Sequence, residues 1–129
     1  MNDRSPITIL LVDDDPAMRS FLRLRVERLG HGVLEAGSVA EAVSLLERGD
    51  VAAVLSDHGM PGGTGLQLLA YVKNRKPEVR FVLMSGLVTP DMEAAAWSGG
   101  AEAVVSKDDL TRTLHVLFPP GRAQLALSA

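Results

Sequence analysis

Five short apolar runs recur along the chain, at residues 7–12, 32–36, 51–56, 80–85 and 103–106, each separated from the next by room for one helix. Apolar runs of this length bounded by polar or turn residues predict buried strands, whereas apolar positions at i, i+3, i+4 and i+7 predict a helical face. The second run is the weakest of the five. Helical faces fill the intervals. Asp15-Pro16 supplies an N-cap and a proline at the first helical position, ahead of Phe21, Leu22, Val26 and Leu29, with a stop at Gly30. Ser38 and Glu41 form a Ser-x-x-Glu capping box for a helix carrying Val39, Ala42, Val43 and Leu46. Gly65, Leu68, Leu69 and Val72 mark a third helix, residues 90–98 a fourth, and residues 109–117 a short fifth. Between the third strand and the third helix, His58-Gly59-Met60-Pro61-Gly62-Gly63-Thr64 reads as a turn-rich loop.

Strands alternating with helices predict an α/β fold, a doubly wound parallel sheet with right-handed crossovers and helices on both faces. In the flavodoxin-like (βα)5 arrangement of five strands, order 2-1-3-4-5, strands 1 and 3 are neighbours and ligands bind beyond the carboxyl ends where the order reverses. The residues that end the runs then acquire meaning. Asp13 and Asp14 follow the first, Asp57 the third, Ser85 closes the fourth, and Lys107 follows the fifth. All five functional groups gather along one edge. Singly each has a bland explanation: a cap, a turn former, a solvated lysine. One helix start needs one cap, however, and Asp15 already provides it.

Three carboxylates that close together repel, so a proton or a cation must join them. Magnesium suits the set, since it takes oxygen ligands through one or two carboxylates plus phosphate oxygens. On this reading, removing Asp13 or Asp14 stabilises the metal-free fold and abolishes Mg²⁺ binding.

The chain of 129 residues has a one-domain length, 47% hydrophobic and 22% charged. Its formal charge of −3 points to no nucleic-acid or anionic-membrane surface. Cysteine is absent, which removes disulfides, thiolate metal sites and cysteine nucleophiles. No run approaches membrane-spanning length and no signal peptide is evident, so a cytoplasmic location is expected. Pro119-Pro120-Gly121 breaks the chain ahead of a tail of unassigned structure, residues 119–129. His31 and His115 show no metal-ligand spacing, and His58 reads as a solvent-facing loop residue.

Val12-Asp13-Asp14-Asp15-Pro16, Ser56-Asp57-x2-Met60-Pro61-Gly62-x2-Gly65, Ser85-Gly86 and Lys107 together resemble the response-regulator receiver domains of two-component signalling. The resemblance spans residues 7–118 and implies a single receiver domain over 1–129. It implies that Asp57 accepts a phosphoryl group from the phosphohistidine of a histidine kinase or histidine phosphotransfer protein, and that an effector further downstream reads the result. It also implies Mg²⁺ held by Asp13, Asp14, Asp57 and the main-chain carbonyl of Gly59. Lys107 would pair with the phosphoryl oxygens, and the Ser85 hydroxyl would move to bond them. The module would act on itself alone and would not be an enzyme in the ordinary sense.

Four departures from the family pattern stand out. Asp108 replaces the usual proline after the lysine, and since a cis non-prolyl bond costs about 2.5–4 kcal/mol a trans bond is expected. Val104 stands where receivers usually carry a switch Tyr or Phe. Gly59 and Leu87 flank the path of attacking water and cannot orient it by side-chain hydrogen bonds. The last helix is short. Trp97, the one tryptophan, falls beside the solvated face of a helix whose inward stripe would be Met92, Ala95 and Ala96; it reads as an edge-packing residue or a partner-binding anchor, and the switch or output positions are Ser85, Val104 and Trp97.

Two other classes compete. A haloacid-dehalogenase-like phosphatase would use Asp13 as nucleophile, echoing Asp13-x-Asp15, but Pro16 commits Asp15 to capping and there is no cap domain. A flavodoxin-like module binding flavin mononucleotide would need a Ser/Thr/Gly-rich phosphate cradle where three aspartates stand.

Overall fold

A computed structural model describes residues 5–120; residues 121–129 of the expected tail lie outside the described residues. The five runs form one parallel sheet: β1 (Thr8–Val12), β2 (Gly32–Ala36), β3 (Ala53–Asp57), β4 (Arg80–Ser85) and β5 (Ala103–Ser106). Their order is β2-β1-β3-β4-β5, as the alternation predicts. The helices between and after them are α1 (Pro16–Arg28), α2 (Val39–Arg48), α3 (Gly65–Arg75), α4 (Pro90–Ser98) and α5 (Leu110–Leu117).

Period-two alternation sorts each strand between two cores. Leu10, Val12, Val54, Phe81 and Leu83 pack with Leu46, Leu68, Leu69 and Val72 of α2 and α3, joined by Ala96 of α4. Ile9, Leu11, Leu55, Val82 and Met84 pack on the other face with Leu22 and Val26 of α1, Leu110 and Leu114 of α5, and Phe118. Central strands read as continuous apolar runs because both faces are covered.

The helix starts follow the predicted chemistry with one twist. Asp15 caps α1 through the Ala17 N–H (3.0 Å). Ser38 caps the Glu41 N–H (3.2 Å), but Glu41 reaches back to Gly37 rather than to Ser38. The complete capping box is instead Thr64 with Gln67 at the start of α3, a Thr-x-x-Gln pattern plain in the sequence. It follows a small hairpin in the turn-rich loop, Gly59–Met60 against Gly63–Thr64. Phe21 turns outward, and α1 buries only Leu22 and Val26.

At the opposite edge of the sheet His31 is buried. Its Nδ1 accepts the Ile7 N–H at 3.1 Å and Nε2 lies 2.7 Å from the Pro119 carbonyl. Both contacts are satisfied by the neutral ring with its proton on Nε2, so this histidine ties the start of β1 to the segment after α5.

Candidate functional site

The edge where β1, β3 and β5 end collects the predicted residues. β1 continues one residue into Asp13, whose N–H donates to the Ala36 carbonyl (3.1 Å). That keeps Asp13 in the sheet and buries it to 1% exposure. One carboxylate oxygen accepts the Asp15 N–H (2.9 Å) and the other accepts Lys107 Nζ (3.0 Å). Asp14, one residue on, lies at the exposed bend.

Asp57 is the last residue of β3, opposite Met84, and is 7% exposed. The backbone beyond it is held on two sides: the His58 N–H donates to the Met84 carbonyl (2.9 Å) and the Gly65 N–H to the His58 carbonyl (2.8 Å). Helix α3 approaches so closely that a Cβ at Gly65 would lie 2.4 Å from the Asp57 carbonyl oxygen and 2.6 Å from Leu83 Cδ1. Only glycine fits there. Its role was present in the Met-Pro-Gly-x2-Gly spacing but reads, by periodicity alone, as one more position on a helical face.

Lys107 opens a 3-10 turn, Lys107–Asp109, capped by the Ser106 hydroxyl on the Asp108 N–H (3.2 Å). No peptide bond is cis among the described residues, so Lys107–Asp108 is trans. The Lys107 ammonium lies 3.0 Å from Asp13 and 3.2 Å from Asp57, bridging the ends of β1 and β3. One carboxylate oxygen from each of Asp13, Asp14 and Asp57 falls within 4.8 Å of the others. A set of three hard oxygen donors, two of them buried, suits a divalent cation.

The electrostatics follow from this packing. Burial pushes the Asp57 carboxyl above its ordinary range; the Lys107 hydrogen bond pulls it back, and the charge of Asp13 adds to the rise. Burial disfavours the charged form of Lys107, but hydrogen bonds to Asp13 and Asp57 outweigh it and hold the ammonium above the ordinary lysine range. Both carboxylate oxygens of Asp13 have a partner, the Asp15 N–H and Lys107. Removing Asp13 would strip the Asp15 N–H and Lys107 of a partner, which weighs against the expectation that its loss stabilises the metal-free fold, while its charge adds to the repulsion that Asp57 meets.

Ser85 ends β4 at 8% exposure, but its hydroxyl is turned into its own loop. It donates to the Leu87 carbonyl (2.9 Å) and accepts the Leu87 N–H (3.2 Å). Gly59 lies on the exposed rim two residues past Asp57, with open space beside it, and Leu87 is exposed as well. Val104 is half-buried against the core beneath α2, α3 and α4. Trp97 is 53% exposed on α4, whose one buried residue is Ala96; Ala95 faces outward, contrary to the predicted stripe. His58 is half-buried rather than solvent-facing, and its Nδ1 has no partner among the described residues.

Residues 9–117 match the family model of the response regulator receiver domain. Relatives include the transcriptional regulatory protein GlrR of Escherichia coli, 36% identical over 95 residues that make up 73% of this chain and 21% of that protein. The DNA-binding transcriptional regulator NtrC of Azospirillum brasilense is 35% identical over 114 residues, 88% of this chain and 24% of that one. The chain thus spans about a fifth to a quarter of the length of these relatives. Among solved structures, the signal receiver domain of an HD domain-containing protein from Pseudomonas fluorescens Pf-5 superposes with a TM-score of 0.82 at 25% identity, covering 94% of this chain and 98% of that one. The response regulator TrrA of Thermotoga maritima, solved with Mg²⁺ and BeF, gives a TM-score of 0.75 at 25% identity over 86% of this chain and 98% of that one. Fold, strand-end chemistry and sequence agree: the chain belongs to the response-regulator receiver domain family.

Proposed function

We propose that this receiver takes a phosphoryl group on Asp57 from the phosphohistidine of a histidine kinase or a histidine phosphotransfer protein, with Mg²⁺ as cofactor. The observation that carries the reading is the Lys107 bridge, an ammonium 3.2 Å from Asp57 and 3.0 Å from Asp13 at the end of adjacent strands. An Asp57 carboxylate oxygen forms the new bond to phosphorus as the bond to the histidine nitrogen breaks. The product is an acyl phosphate and an imidazole. Phosphoryl transfer is won mainly by positioning and charge neutralisation. Asp13, Asp14 and Asp57, with the Gly59 carbonyl, would hold the cation; a divalent ion supplies the neutralisation that the carboxylates lack. Lys107 would then turn from Asp13 toward the phosphoryl oxygens, and the Ser85 hydroxyl would leave Leu87 to bond them. The neighbouring TrrA structure, solved with Mg²⁺ and BeF, supports this assignment by likeness.

We read the chain as a signalling module that chemically alters only itself, its output passing through the Ser85–Pro90 loop and the Trp97 helix to a protein effector. Among the described residues no helix is long and apolar enough to cross a membrane. Asp13 as a phosphatase nucleophile fits poorly, since both its oxygens are engaged and its side chain is buried. A flavin phosphate would meet three carboxylates. Acetyl phosphate with Mg²⁺ tests the reading: mass spectrometry is expected to find one phosphoryl group, absent in Asp57→Ala and absent with EDTA. Stoichiometric labelling elsewhere, or labelling that survives EDTA, overturns it.

A further inference from the structure

Of the three carboxylates in the cluster, Asp14 is held least. Asp13 has Lys107 and the Asp15 N–H, and Asp57 has Lys107. The Asp14 side chain has no hydrogen bond or ion pair among the described residues, yet one of its oxygens sits within 4.8 Å of two like charges. Repulsion favours its swinging outward into water, so its placement rests on the backbone.

That backbone has an unexpected support. Arg19, one turn into α1, donates Nη1–H to the Asp13 main-chain carbonyl at 2.5 Å. This oxygen belongs to the peptide joining Asp13 to Asp14. The peptide is planar, so fixing its carbonyl limits the direction in which Asp14 leaves the sheet. Arg19 is itself anchored. Its Nε donates to Glu35 Oε1 at 3.1 Å, while Glu35 Oε2 takes Arg23 Nη1 at 2.5 Å. Glu35 lies on β2 opposite Leu11 of β1, two residues before Asp13. The guanidinium is a rigid fork that serves both acceptors at once, and its side chain is only 19% exposed. Gly37 completes the fit, since a Cβ there would lie 3.2 Å from Arg19 Nη1.

We propose that Arg19 is a positioning residue for the cation site, holding the Asp13–Asp14 peptide so that Asp14 faces the cluster before a cation arrives. The inference rests on the cation reading above but adds a residue that touches none of the reacting groups. Loss of an outer partner of a metal ligand commonly weakens binding about 10- to 100-fold, and here the expected loss is on the order of tenfold because the contact is to backbone.

Three variants of the chain, titrated with Mn²⁺ by electron paramagnetic resonance and with Mg²⁺ by calorimetry, separate bracing from charge and from general stability. Arg19→Met loses both. Arg19→Lys keeps the charge but cannot serve the carbonyl and Glu35 together. Arg23→Met removes a comparable ion pair on Glu35 without touching Asp13. Both Arg19 variants are expected to bind each cation on the order of tenfold more weakly than the parent, and Arg23→Met within about twofold of it. Should Arg19→Met not fold, Arg19→Lys against Arg23→Met decides alone. An Arg19→Lys affinity equal to the parent's overturns the brace. Equal weakening in Arg19→Lys and Arg23→Met overturns it too, by assigning the effect to Glu35 and general loosening. A parent chain that binds neither cation overturns the cation site and this inference with it, an outcome distinct from a parent that binds and a variant that is unchanged.

Discussion

The two halves of the site edge are built differently. On the side of β1 and β3, every polar group of Asp13 has a partner: Ala36, Asp15, Lys107 and Arg19 take its N–H, its two carboxylate oxygens and its carbonyl. Asp57 stands on a backbone pinned by Met84 and Gly65. On the side of β4, the Ser85 hydroxyl bonds only within its own loop, Leu87 stands in solvent, and α4 buries a single alanine. A site for phosphoryl transfer needs fixed geometry where charge is handled and freedom where the result is reported. On the proposed function, the held half would serve the first need and the loose half the second.

The sharpest way to break the held half is steric. Gly65→Ala would drive a methyl group onto the Asp57 carbonyl and Leu83. Overpacking against backbone costs about 1–3 kcal/mol and sometimes more; here the upper end is expected, since Asp57 must shift or α3 must back away. Urea melts should show the loss of stability, and phosphorylation by acetyl phosphate should fall with it. A variant as stable as the parent would mean that the close approach of α3 does not position Asp57.

Next in size is a contrast between neighbours. Asp13→Ala deletes the acceptor for the Asp15 N–H and leaves Lys107 with one partner instead of two, a loss of about 1–3 kcal/mol. Asp14→Ala removes an unpartnered charge, so its metal-free stability should stay within about 0.5 kcal/mol of the parent, or rise. Both should lose the gain in melting temperature that Mg²⁺ gives the parent by mass action. Thermal melts with EDTA and with Mg²⁺ read all four values. Equal metal-free stabilities for the two variants would show that the Asp13 contacts contribute nothing.

This contrast also marks where sequence reading stopped. The five strands, their order and the carboxyl-edge gathering of Asp13, Asp14, Asp57 and Lys107 were legible, because apolar runs and a polar residue at each end are local signals. Which carboxylate is satisfied and which repelled was not, because Lys107 lies 94 residues from Asp13 and the bond between them is made by the fold. The same holds for Arg19 on α1 and Glu35 on β2, whose pairing is made by the fold and has no local signal in either element. Gly65 and the Thr64–Gln67 box stood in plain view but needed the loop's path to give them meaning. Ala95 shows the limit of periodicity on a short helix: nine residues of α4 bury one side chain, too few to define a stripe.

Protonation separates the groups within the held half. The Asp57 pKa is raised on folding, so its effect on stability is most favourable below the unfolded carboxylate range and is lost as pH rises through the folded value. Glu35 is the reverse: the hydrogen bond from Arg23 outweighs burial and, with Arg19, lowers it, so its contribution is present at neutral pH and lost as pH falls through the folded value. In metal-free chain, Asp57→Asn should therefore gain stability at neutral pH and lose that gain in acid. Glu35→Gln should lose stability at neutral pH and approach the parent in acid. Chemical denaturation from about pH 3 to 7, spanning the carboxylate range, measures both. An Asp57→Asn chain less stable than the parent at neutral pH would place Asp57 among the satisfied carboxylates.

The smallest expected change is in the loose half, and it tests whether looseness is used. Ser85→Ala removes two hydrogen bonds that close a local turn near the surface, a stability loss of about 0.5–1.5 kcal/mol at most. Its larger consequence should be on output. If the hydroxyl leaves Leu87 for a phosphoryl oxygen, the Leu87 carbonyl and N–H both lose their partner and the loop leading to Pro90 must reorganise. Gly86, with open space around it, imposes no side-chain barrier. The disturbance then enters α4, whose shallow burial lets it move, and reaches the half-exposed Trp97. Beryllofluoride with Mg²⁺, a mimic of the acyl phosphate, should therefore change the intrinsic fluorescence of the parent, since Trp97 is the chain's one tryptophan. Ser85→Ala should bind the mimic and give a smaller change, because the loop is no longer pulled. Unaltered emission in the parent, with binding shown independently, would mean that α4 is a bystander. The signal would then have to leave through the held half, and the division of labour between the two sides of the edge would be wrong.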